Sequence, residues 1–116
     1  LLENGDALPP QTESFVRAFA GRDSLGMAQL LVPMEKWKRD ALIPMLEQWR
    51  MILEQALSLR SGGTAVSRFA RRAAAERTSK DLYDAIRVLG KAITYAQSNV
   101  SPGAVCGWLV WALRSK

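Results

Sequence analysis

Leu82, Ile86, Leu89, Ile93 and Ala96 follow one another at steps of four, three, four and three residues. An α-helix turns positions spaced in this way onto one side, so the segment commits one continuous apolar seam to a helical core. Thr78 with Asp81 makes a start resembling a capping box, loosely, because the acid is Asp rather than Glu or Gln. Asn99 suits a left-handed residue after the helix end. Gly90 lies within the seam at a cost in helix propensity, as a close crossing by another helix would require.

The same period recurs along the chain. Thr12 is expected to N-cap a short helix with Phe15, Val16 and Phe19 along one side, ended by Gly21. Asp23 or Ser24 opens the next, where Leu25, Ala28, Leu31 and Val32 follow helical spacing until Pro33 interrupts or kinks it. One further turn over residues 34–38 carries Trp37 as an apolar anchor. A long helix is predicted from about Asp40, its N-cap, to Leu59, with Pro44 in the first turn. Its core stripe is Leu42, Met45, Leu46, Trp49, Ile52, Leu53 and Ala56, and Glu47, Gln48, Arg50, Glu54 and Gln55 fill the opposite side. Ser61-Gly62-Gly63 stops it. Thr64 begins another helix, through about Arg77, that buries Val66, Phe69, Ala70 and Ala73 and wets Arg68, Arg71, Arg72 and Glu76. Ser101 and Pro102 supply the N-cap and first-position proline of the last helix, Gly103 to about Arg114. That helix is apolar nearly all round, which places it either at the centre of its own core or under a partner.

No stretch alternates with the two-residue period of a strand, and no repeat of solenoid length is present. The expected fold is all-α: a single helical bundle of about five to six helices with short connections. The 116 residues, 48% of them apolar, fit one domain with one core. Residues 1–11, with Asn4-Gly5-Asp6 and Pro9-Pro10, read as a linker or the tail of a preceding domain, and residues 12–116 as the helical domain. A start at Leu1-Leu2 without an initiator Met reads as a piece of a longer protein. There is no secretory pattern. The longest apolar stretch, Ala104 to Leu113, is shorter than the roughly 20 residues a bilayer requires. With Cys106 unable to form an internal disulfide, these features favour a cytoplasmic chain without membrane contact.

The chemistry that is missing narrows the function. The chain has no histidine and one cysteine, which removes histidine-based acid–base catalysis, Ser-His triads and the usual zinc sites. Cys106, within an apolar helix, reads as a buried, inert thiol. Gly62-Gly63-Thr64 lacks the frame of a phosphate loop and reads as one helix end followed by one helix start. Asp81 and Asp84 complement a helix N-terminus. No catalytic residue, metal ligand or cofactor is expected. The formal charge of +5 has two sources in particular, Lys36-Lys38-Arg39 and Arg68-Arg71-Arg72-Arg77. Arg68, Arg71 and Arg72 share a helix face that fits a solvated surface, a carboxylate-rich protein partner or phosphates. Trp108 and Trp111 are not interleaved with these charges as a base-stacking surface needs, and read as core or interface anchors.

One group of residues resembles a known family. Residues 34–42, Met-Glu-Lys-Trp-Lys-Arg-Asp-Ala-Leu, run into Leu46-Glu47-Gln48-Trp49-Arg50 and then into residues 56–62, Ala-Leu-Ser-Leu-Arg-Ser-Gly. This is similar to the C-terminal domain of the delta prime subunit of the bacterial DNA polymerase III clamp loader. There a short start of Lys-Arg-Asp type leads into a long helix ending near Leu-Arg-x-Gly. Phe19-Ala20-Gly21-Arg22-Asp23 suits that domain's opening helices. The Asn99-Val100-Ser101-Pro102 junction before a final apolar helix also resembles it. The resemblance covers roughly residues 14–114. Trp108 and Trp111 stand where leucines are typical, and Gly90 is unusual. The gamma/tau and delta subunits have domains of the same architecture.

The resemblance implies a collar domain: a non-catalytic segment that helps close the ring of five subunits loading the sliding clamp onto primed DNA. Gamma/tau and delta are the implied partners, with DNA met only through the complex. Val105, Trp108, Leu109 and Trp111 are the candidate core-and-interface set, and Arg68, Arg71 and Arg72 the candidate polar contacts. A basic helical module that binds nucleic acid, or the equivalent domain of gamma/tau, is the alternative.

Overall fold

The computed structural model describes residues 9–64 and 67–114. They form an all-α bundle of six helices: α1 Pro10–Ala20, α2 Ser24–Met34, α3 Arg39–Arg60, α4 Arg68–Glu76, α5 Ser79–Gln97 and α6 Pro102–Arg114. The long helices α3 and α5 pack along each other. α4 and α1 close over one part of α3, α2 packs on α1 and on α6, and α6 also lies against α5.

The seam of α5 is buried at Leu82, Leu89, Ile93 and Ala96, half-buried at Ile86, and widened by Ala85, Val88 and Ala92. Small residues beside the large ones let α3 approach closely along its own stripe of Leu42, Leu46, Trp49, Ile52, Leu53 and Ala56, all buried. Met45 is only partly covered. The ring of Trp49 stacks on Phe15 of α1, with centroids 4.4 Å apart, and Phe15 stacks in turn on Phe19. The guanidinium of Arg77 lies 4.4 Å over Phe19 and ends this ladder.

The helix ends follow from local chemistry. Thr78 and Asp81 form a full capping box, because the shorter Asp side chain still reaches the Thr78 amide. Asp23 accepts from the Gly26 amide, and Ser101 from the Ala104 amide. α3 ends in a left-handed Gly62 (φ 98°), with the Gly63 amide donating to the Ser58 carbonyl and Gly62 to Leu59. α5 ends in left-handed Asn99 (φ 72°), with the Val100 amide donating to Tyr95.

Several boundaries differ from the sequence-based expectation. α1 starts at Pro10, whose missing amide suits the first turn, so Thr12 is not its cap. Thr12 is buried and its hydroxyl donates to the side-chain amide oxygen of Gln48 on α3. The first helix therefore begins at Pro10 rather than at Thr12. Residues 1–8 of the expected linker lie outside the described residues. α2 runs through Pro33, which falls in its last turn, and buries Met27, Leu31 and Met34 while leaving Leu25 and Val32 exposed at 68% and 53%. A helix with apolar residues on several sides buries the face its neighbours cover, and spacing alone does not name that face. α3 begins at Arg39 after Lys38, which puts Pro44 in the second turn and leaves Asp40 as a first-turn acid rather than the cap. α4 starts at Arg68 with Ser67 as its cap, four residues later than Thr64. Val66 is outside the described residues. At Gly90 no backbone atom of another helix comes within 4 Å of where a Cβ would stand. Its nearest neighbour is the Arg50 guanidinium, 3.8 Å from where a Cβ would stand.

Three arginines tie helix ends together. Arg39 donates to the carbonyls of Ala96 and Val100 at the end of α5, Arg60 to Ala74 at the end of α4, and Arg77 to Phe19 at the end of α1. Each places a cation and N–H donors on carbonyls that lack an intrahelical partner. Among the described residues no helix is long and apolar enough to cross a membrane.

Candidate functional site

The candidate set on α6 divides. Val105 and Leu109 are fully buried, along with Cys106, and belong to the core with the nearly buried Ala112 and Leu113. Trp108 is half-buried, with its ring edge-on to Tyr95 at 5.2 Å. Trp111 is 61% exposed, the largest apolar side chain left open. Both tryptophans, with Ala112, form one wall of a groove of about 210 Å³ between α5 and α6. Asp84, Arg87, Val88 and Lys91 form the other.

The sequence-based view missed this company. Tyr83, Arg87, Lys91 and Tyr95 recur every four residues on the outer side of α5, and all four are exposed. Arg87 lies 5.9 Å over the Tyr83 ring. The spacing is visible in the sequence, but on its own it does not differ from the wet side of an amphipathic helix. Tryptophans and cations are thus interleaved here, with different cations from the two groups singled out by clustering.

Arg68, Arg71 and Arg72 are exposed on α4. Arg68 and Arg72 line a separate shallow groove of about 220 Å³ with Glu13, Val16 and Phe69, and Arg68 covers the Phe69 ring at 5.0 Å. Arg71 is not part of that lining. The arginine set and the tryptophan set are therefore two distinct surfaces. Arg77, in the same cluster by sequence, is only 3% exposed and structural. Arg39 is likewise bound to the end of α5.

The titratable groups with shifted behaviour are held in structural contacts. Burial opposes the charge of Asp81, but hydrogen bonds from Arg77 and Thr78 outweigh it and hold the carboxyl below its ordinary value. Arg22 adds an ion pair at 3.1 Å. Asp84 faces Lys80 at 2.8 Å, and that hydrogen bond raises the lysine. The two aspartates therefore serve different cations, and among the described residues no group of three or more Cys, Asp or Glu converges as a metal site would need.

A carboxyl held low in the fold stays ionised at pH values where the unfolded chain has taken up its proton. Its stabilisation is complete above the ordinary value of 3.8 and is lost as pH falls through the lower folded value. Asp81→Asn should therefore lower the urea midpoint at pH 7, and the gap to wild type should close below pH 4. A constant gap across that range would contradict the assignment.

Burial, with the nearby Glu35 carboxylate, pushes the Cys106 thiol up to about 11. Native chain at pH 8 should react with a maleimide far more slowly than unfolded chain, because both access and thiolate are suppressed. Equal rates in the two states would show that the site opens.

A third recess, of about 570 Å³, lies between α1 and α2. Its charged lining residues are Arg17 and Asp23, and Asp23 is already the α2 cap. Each of the three recesses carries a single carboxylate in its lining. Comparison with protein-family models, curated proteins and solved structures finds no match to this chain.

Proposed function

We propose that this chain is a non-catalytic assembly domain that holds protein subunits together, and that it acts as a collar segment of a bacterial clamp loader of the delta prime type. The carrying observation is Trp111. A complete core lies beneath it, yet this ring remains 61% exposed beside the half-buried Trp108 and the groove against α5. Exposed tryptophan is costly to leave in water and is enriched at the centre of protein interfaces. The clamp-loader assignment rests on the sequence resemblance, and a cytoplasmic setting follows from it. Co-purification of gamma/tau and delta with the subunit should be lost when residues 9–114 are deleted. Pentamer assembly that survives the deletion rules the proposal out.

A nucleic-acid-binding module is the second reading, favoured by one observation: Arg87 and Lys91 share a groove with Trp108 and Trp111. Such binding to primed DNA weakens steeply with salt. Absence of salt-sensitive binding at low ionic strength eliminates it.

A further inference from the structure

The groove beside Trp111 has a charged side and an uncharged side. Along α5, Arg87 and Lys91 stand one turn apart on its rim, both exposed, and no ion pair among the described residues involves either. Arg87 lies 5.9 Å over the exposed Tyr83 ring, which leaves the N–H edges of its guanidinium for a carboxylate. Asp84, the carboxylate of the lining, already meets Lys80 at 2.8 Å. α6 brings no charge between Pro102 and Leu113. Its outer face shows Ala104 and Gly107, both small and exposed, one turn before Trp108 and Trp111 respectively. A Cβ added at Gly107 would meet nothing within 4 Å, so a neighbouring backbone can approach α6 closely there.

Size and setting narrow what fills the groove. Its volume, about 210 Å³, lies below the roughly 300–1,000 Å³ of small-molecule pockets. Among the described residues there is no strand edge for an extended peptide to join. A phosphate chain fits less well, because the cations line only the α5 side and the half-buried Trp108 is held edge to face with Tyr95 rather than laid open for stacking. We infer that the groove takes an acidic amphipathic helix from an unlike subunit. That helix lies over Ala104 and Gly107, sets apolar side chains between Trp111 and Val88, and turns carboxylates on its flank toward Arg87 and Lys91. Both cations lie to one side of Asp84 along α5, so they also fix the register: carboxylates at the Lys91 end, none at the Asp84 end. The inference rests on the reading of the chain as an assembly domain and adds the chemistry of the partner, whichever subunits are joined.

The test is an anisotropy titration of the purified chain into two labelled peptides. Each is Ala-rich and about 20 residues long, enough to hold a helix, with Leu along one face. One carries Glu on the flank beside the leucines, the other Lys. The chain should bind the Glu peptide roughly tenfold more tightly at low salt, and the ratio should fall toward one at about 0.5 M salt. Arg87→Glu with Lys91→Glu should remove the preference. Arg68→Glu with Arg72→Glu makes the same change of net charge at the separate α4 groove and should keep it. Trp111→Ala should weaken both peptides alike. All five residues are exposed, so circular dichroism should show every variant folded. A chain that binds neither peptide, or both equally, overturns the inference. So does a preference that survives reversal of Arg87 and Lys91, or one lost equally on reversal of Arg68 and Arg72. If Trp111→Ala nevertheless abolishes assembly with gamma/tau and delta, the assembly reading stands and the acidic helix alone falls. The expected preference in a chain that joins neither gamma/tau nor delta upholds the groove's chemistry and removes those partners. A labelled oligo-dT strand bound through Arg87 and Lys91 more tightly than the Glu peptide overturns the inference in favour of nucleic acid.

Discussion

Trp49→Ala is expected to cost about 3–5 kcal/mol, the range for truncating a large buried aromatic. In a domain of this size that lowers the melting temperature by roughly 12–20 °C. The ring is fully buried at the centre of α3 and stacks nearly parallel on Phe15, 6° apart at 4.4 Å, so its loss opens a cavity between α1 and α3 and removes the support of the next ring. Its Nε1 is buried without a hydrogen-bond acceptor among the described residues. A buried donor without an acceptor costs stability rather than supplying it, so the packing carries the effect. Trp49→Phe keeps a stacked ring and removes that donor, and its loss should stay under about 1.5 kcal/mol. Thermal unfolding of the two variants separates these contributions. Equal losses would mean that ring stacking is not what Trp49 supplies.

Arg77→Ala should cost about 3 kcal/mol, a large effect for a residue that looks like part of a surface cluster in the sequence. Its guanidinium is buried, donates to the Phe19 carbonyl at 2.6 Å and to Asp81 at 3.2 Å, and covers the Phe19 ring. Truncation leaves the end of α1 without that donor and Asp81 without the cation that helps keep it ionised. Arg77→Lys keeps the charge but not the forked geometry, and should recover less than half of the loss. Arg71→Ala, exposed on α4 just before it, provides the contrast and should stay within about 0.5 kcal/mol. Chemical denaturation of the three variants reads the difference directly. Comparable effects at positions 71 and 77 would contradict the structural role of Arg77.

Those two residues show what a sequence of this kind discloses. The burial of Trp49 was legible because the core stripe of α3, Leu42 to Ala56, obeys one period for about four turns. The same holds for the α5 seam, the Thr78–Asp81 box, Gly62 and Asn99, where local chemistry leaves one solution. The role of Arg77 was not legible, because its partners Phe19 and Asp81 meet only once α1, α4 and α5 have packed. The same is true of Arg39 and Arg60 on the ends of α5 and α4. On α2 the sequence offered apolar residues on several sides, and only the positions of α1 and α6 decided that Leu25 and Val32 face outward.

The candidate site was half legible. An all-round apolar α6 left two readings open, a central place in its own core or cover by a partner. Packing then separated buried Val105 and Leu109 from exposed Trp111. The basic rim at Arg87 and Lys91 belongs to a different helix, and its place beside Trp111 is a tertiary fact. The +5 charge of the chain carries no such information. Some of its cations bind helix ends, others line two separate grooves.

The proposal that this domain joins subunits is tested most directly by Trp111→Ala in the chain mixed with its proposed partners, gamma/tau and delta. Affinity is read by titration, and folding by circular dichroism on the same samples. An exposed anchor at an interface centre is worth about 2 kcal/mol on truncation, so assembly should weaken roughly thirtyfold while the melting temperature is unchanged. Undiminished assembly by a folded Trp111→Ala chain would contradict the account.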